Sequence, residues 1–109
     1  MRQYEFVFVI QPTLEDEDVN GIVGQIEGLI QRGGGEILVR GQLSDRKGHI
    51  GEVTDSWTKR RLAYSIGSHT EGYYAALVFR APSEVISQIE QNARINENVL
   101  RYLTIRTEE

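Results

Sequence analysis

Three consecutive cations, Lys59, Arg60 and Arg61, run directly into Leu62, Ala63, Tyr64 and Ile66. Guanidinium groups on a rigid element donate paired, parallel N–H bonds to phosphate, so this run is where polyanion contact is expected first. The competing reading is a solvated face whose cations border carboxylates. No catalytic constellation accompanies the run. There is no cysteine, and the two histidines, His49 and His69, lie in polar, turn-rich stretches with no nucleophile or second ligand close in sequence. His69 reads first as a turn residue, with stacking on or hydrogen bonding to RNA as its functional alternative. The sequential carboxylates Glu15, Asp16, Glu17 and Asp18 would splay around a helix axis rather than converge on a metal, and they suit the positive end of a helix dipole. Gly33, Gly34 and Gly35 lack the strand, Lys-Ser/Thr and helix context of a phosphate loop. No metal, cofactor or small-molecule substrate is therefore predicted.

The elements that must position these residues follow from periodicity. Tyr4, Phe6, Phe8 and Ile10 alternate with Glu5, Val7 and Val9, which predicts a strand whose even face is large and apolar. Val7 and Val9 make the odd face apolar too, so that face either meets something other than water or belongs to a central strand that tolerates two β-branched residues. Thr13 and Asp16 resemble a capping box for a helix carrying Val19, Ile22, Val23, Ile26, Leu29 and Ile30 on one stripe. Ile37 opens a second strand to about Leu43. A polar, turn-rich insertion at about 43–55, a loop or small hairpin, interrupts that strand before it resumes at Trp57. A β-hairpin is expected next, with Lys59 and Arg61 pointing one way, Arg60 the other, and a turn over Gly67 to Gly72. Tyr73 to Phe79 is a strand of undecided parity. Pro82, Ser83 and Glu84 start a second helix, and Val99 to Ile105 is the last strand, with Val99, Arg101, Leu103 and Ile105 on one side.

The order strand, helix, strand, strand, helix, strand is the ferredoxin-like β-α-β-β-α-β plan. It predicts an α+β domain spanning 1–109, a four-stranded antiparallel sheet with two helices on one face and the other face open. The run Arg60 to Ile66 followed by Gly72 and Tyr73 resembles the signature of the bacterial small-subunit ribosomal protein six family. Arg94 to Thr104 resembles that family's last helix and strand, and Tyr4 and Glu5 its opening. The likeness covers nearly the whole chain. Thr58, Ser65 and Gly67 depart from the family's usual Gly, Pro and basic residue, and the last change removes a cation from the hairpin end.

The resemblance implies the same fold, no enzymatic role, and a place in the small subunit, gripping central-domain ribosomal RNA beside small-subunit ribosomal protein eighteen. Lys59, Arg60, Arg61, Arg2, Arg101 and Arg106 would supply phosphate hydrogen bonds, with Tyr64 and His69 as further RNA contacts. Val7, Val9 and Tyr102 would meet the protein partner. Charge fits a shared grip. The net charge is −4, and residues 40–81 are the one positive stretch, with seven cations against four carboxylates. So small a patch gives a modest salt-dependent term and predicts weak RNA binding by the chain alone. A stand-alone single-stranded RNA binder is the alternative; Tyr73 and Tyr74 precede small Ala75 and Ala76, without a basic-glycine-aromatic motif. An enzyme or metabolite sensor is a third reading. No apolar run near 20 residues and no signal-like start occur, which points to a cytosol-like, ribosome-associated location and no membrane.

Overall fold

In the computed structural model, which describes residues 1–43, 50–52 and 56–107, the first strand, β1 (Arg2–Ile10), turns its even-numbered residues into the core. Tyr4, Phe6, Phe8 and Ile10 are all buried, and the Phe6 and Phe8 rings pack with centroids 5.2 Å apart. Helix α1 (Asp16–Arg32) lays Val19, Ile22, Val23, Ile26 and Ile30 on that surface, and α2 (Glu84–Ile95) adds Val85, Ile89 and Ala93. Side chains of this size each stabilise the fold by about 1.5–3 kcal/mol on burial. Glu15, rather than Thr13, stands at the head of α1, its N–H donating to the Asp18 carboxylate at 3.4 Å. Thr13 is diverted from that role because both its N–H and its hydroxyl turn back to the Gln11 amide oxygen.

The remaining strands are β2 (Glu36–Leu43), β3 (Ile50–Glu52), β4 (Lys59–Ile66), β5 (His69–Ala81) and β6 (Val99–Arg106). β5 is the axis of the sheet. One side pairs with β1 along its whole length, from Arg2 opposite Ala81 to Ile10 opposite Tyr73, and β6 closes the far side of β1. The other side carries two strands end to end: β2 opposite residues 75–80 of β5, and β4 opposite residues 69–73. β2 and β4 thus share one position in the sheet, end to end beside β5, and the four-position ferredoxin-like strand order is preserved. The sheet nevertheless has six strands rather than four, because the interruption divides one strand and β3 adds itself to the outer edge of β2. Residues 44–49 and 53–55 of the insertion, including Arg46, Lys47 and His49, lie outside the described residues.

The returning chain is fastened before β4 begins. Trp57 is buried in the core, its backbone N–H donates to Asp16 Oδ1 at 2.9 Å, and its indole Nε1–H donates to Asn20 Oδ1 at 2.9 Å. Arg40 reaches the same asparagine at 3.4 Å and forms an ion pair with Glu27 at 3.0 Å. The β4–β5 turn is only Gly67 and Ser68. Gly67 has φ +60° and no non-glycine residue among the described residues has positive φ, which matches a two-residue hairpin turn of type II′. His69 consequently lies in β5 opposite Ile66, and not in a long turn. The parity of β5 is now fixed: Tyr73, Ala75, Leu77, Phe79 and Ala81 face the helices.

Candidate functional site

Both helices cover the same face of the sheet, so the residues of opposite parity form an open face whose rows follow from the register. Leu103, Val7 and Ala76 make one row, with Gly41 beside Ala76. Ile105, Glu5, Val78 and Val39 make the next. Arg101, Val9 and Tyr74 make a third. Leu103 is 57% exposed, and Ile105 and Val39 are also exposed. Glu5 is half-buried in this apolar floor and has no hydrogen-bond or ion-pair partner among the described residues.

The basic end of the face is shaped by a distortion in β4. Between the pairs Arg61–Glu71 and Ile66–His69, β4 advances five residues while β5 advances two. Surplus residues on one strand bend and twist it, and bulges of this kind re-aim side chains. β4 and β6 are three strand spacings apart, about 14 Å in a flat sheet. Yet the Arg101 guanidinium on β6 lies 4.9 Å from the centroid of the Tyr64 ring on β4. The hairpin therefore curls over the open face. Its shadow falls on Val9, 4% exposed, and Leu62, 6% exposed, neither of which belongs to the helix-side core.

The sequence-predicted residues divide among several places. Arg60, Tyr64 and Arg101 converge at the curled end. Arg60 sits 5.2 Å from the Tyr74 ring centroid and donates through Nη1 to the Leu43 carbonyl at 3.1 Å, so part of its donor capacity serves the fold. Lys59 and Arg61 are exposed and pair opposite Tyr73 and Glu71, on the parity opposite to Arg60. His69 is half-buried beside the turn. Arg2, opposite Ala81, and Arg106, opposite Tyr4, lie toward the far end of β1, roughly 27 Å and 20 Å along the strand from Ile10 at the rise of an antiparallel sheet. The eight RNA candidates thus occupy both faces and both ends of the sheet and do not form one patch. Val7 is half-buried on the open face. Val9 is already covered by the chain's own hairpin. Tyr102 stands on the helix side, opposite Phe8, with its ring 5.9 Å from that of Phe6 and its hydroxyl accepting from Arg94 at 3.2 Å. Its even number separates it from Val7 by one pleat.

Sequence reasoning set Glu5 on one face with Val7 and Val9, but it missed Val39, Val78 and Arg80 as open-face residues. The strict alternation of β6 already set Leu103 and Ile105 beside Arg101, whereas the undecided parity of β5 hid Val78 and Arg80. No group of His, Asp and Glu able to hold a metal occurs among the described residues. No helix among them is long and apolar enough to cross a membrane.

Two helices packed on one face of an antiparallel sheet, with an apolar and partly cationic face left open, define a ferredoxin-like α+β protein. The crystal structure of 30S ribosomal protein S6 from Thermotoga maritima has the same fold, with a TM-score of 0.78 at 24% identity over 96% of this chain and 86% of that one. Residues 38–106 match the family profile described as ribosomal protein S6. Small ribosomal subunit protein bS6 of Thermoanaerobacter pseudethanolicus is 37% identical over 109 residues, the whole of both chains. That of Natranaerobius thermophilus is also 37% identical, over 100% of this chain and 99% of the relative. The chain belongs to the ribosomal protein S6 family of the small ribosomal subunit, a structural family and not an enzyme family.

Proposed function

We propose that this chain binds ribosomal RNA of the small subunit's central domain jointly with small-subunit ribosomal protein eighteen. The observation that carries the reading is the division of the open face into two chemically distinct regions. One is an apolar floor of Val7, Val39, Val78, Leu103 and Ile105 around Glu5; the other is the curled end with Arg60, Tyr64 and Arg101. Exposed aliphatic residues in a contiguous sheet face favour burial against a protein, and a half-buried carboxylate among them favours a basic one. Cations and aromatics at the other end favour RNA phosphates and bases. With so few cations, the chain alone holds RNA weakly. A partner seated on the floor adds its own RNA contacts and converts two weak sites into one linked event. The test is filter binding of small-subunit ribosomal RNA by the chain with and without purified protein eighteen. Leu103→Asp, which places an unpaired charge in the floor, should abolish the partner's effect on RNA affinity. Retention of that effect would contradict the assignment of the floor.

A further inference from the structure

We infer that Tyr64, backed by Arg101, is a stacking platform for a single unpaired nucleobase of the bound RNA; the inference rests on the RNA-binding reading above and names the chemical group that one end of the face takes. The bulge in β4 is the first ground. It turns Tyr64 out of its own strand row and across the sheet, where one side of the ring meets the Arg101 guanidinium at 4.9 Å. Tyr64 is still 64% exposed. A tyrosine held on one side by a cation and bare on the other offers a fixed aromatic surface, and every base has a complementary face.

Arg101 is the second ground. Among the described residues it has no hydrogen-bond or ion-pair partner, so its N–H donors remain available at the edge of the stack. A base laid on Tyr64 puts its own phosphate near that edge. The neighbouring stack differs, because Arg60 over Tyr74 also donates to the Leu43 carbonyl, and Tyr74 is only half-buried within the sheet row. Two cation–aromatic pairs therefore have two roles: Arg60 and Tyr74 fasten β4 to the sheet, and Arg101 and Tyr64 face outward. A protein occupant is less well matched, since the apolar floor ends at Val9, which the hairpin already covers.

The experiment measures small-subunit ribosomal RNA binding in the presence of protein eighteen, at graded salt, for the unaltered chain, Tyr64→Phe, Tyr64→Leu and Arg101→Gln. Tyr64→Phe should bind as the unaltered chain does. Tyr64→Leu should bind about five- to a hundredfold more weakly with an unchanged slope of log affinity against log salt. Arg101→Gln should weaken binding and also reduce that slope by about one. Near-wild-type affinity of Tyr64→Leu, or equal loss in Tyr64→Phe, would overturn the platform while leaving joint RNA binding intact. Loss of protein-eighteen binding by Tyr64→Leu in the absence of RNA would overturn it too, by making Tyr64 a protein contact. Failure of the unaltered chain to bind the RNA at all would overturn both readings.

Discussion

Arg60 and Arg61 are adjacent in sequence and opposite in consequence. Arg60 is half-buried, stacked on Tyr74 and bonded to the Leu43 carbonyl, so Arg60→Ala removes packing and a charge-assisted hydrogen bond together. It should cost about 1–2 kcal/mol in urea unfolding. Arg61 is exposed, and Arg61→Ala should change stability by less than about 0.5 kcal/mol while lowering RNA affinity and the salt slope. Equal effects of the two substitutions on stability would contradict this division. The cation run was legible from composition alone, and alternation already separated Arg60 from its neighbours. Its internal engagement was not, because the Leu43 carbonyl comes from the other side of the insertion. Nor did spacing reveal that Tyr64 meets Arg101, a contact that depends on surplus residues in a strand whose partner sequence looks regular. Alternation already set Tyr102 on the face opposite Arg101 and Leu103, but only the register with Phe8 shows that this face is the one the helices cover.

At the scale of elements, the interrupted strand is held by Trp57, whose indole bonds to Asn20 on α1. Trp57→Phe keeps much of the apolar bulk but loses that hydrogen bond, and should destabilise the domain by about 1–2 kcal/mol by far-UV circular dichroism in urea. Full retention of stability would show that α1 does not hold the junction. Two glycines make a sharper contrast. A Cβ on Gly72 would lie 2.8 Å from Val9 Cγ1 and 2.9 Å from the Ile10 carbonyl oxygen, so Gly72→Ala should push β5 from β1 and cost about 1–3 kcal/mol. Gly21 and Gly24 in α1 face open space, and Gly24→Ala should stabilise the domain by about 0.5–1 kcal/mol through helix propensity. Thermal melts of the two variants should move in opposite directions. Element order and both helix stripes were readable because each carries a long, clean period, as in Tyr4 to Ile10 and Val19 to Ile30. The six-stranded count was not, since β3 is three residues long and set by pairing with β2 rather than by its own pattern.

Across the whole molecule, one side of the sheet is finished by helices and the other is finished only by a curled hairpin. That leaves an apolar floor and a cation–aromatic end, the two regions on which the proposed joint binding of protein and RNA rests. Glu5 joins the two scales, because a carboxylate without a described partner in an apolar floor favours a partner's cation. Glu5→Gln should weaken association with protein eighteen in the absence of RNA, and more so at low salt than at high salt; an unchanged affinity would place the partner elsewhere. The most direct measurement is the affinity for small-subunit ribosomal RNA of the unaltered chain, alone and with protein eighteen, from low to moderate salt. Weak, strongly salt-dependent binding alone and a large gain on adding the partner is the expected result. Tight, sequence-selective binding by the isolated chain, or no gain from the partner, would contradict the account.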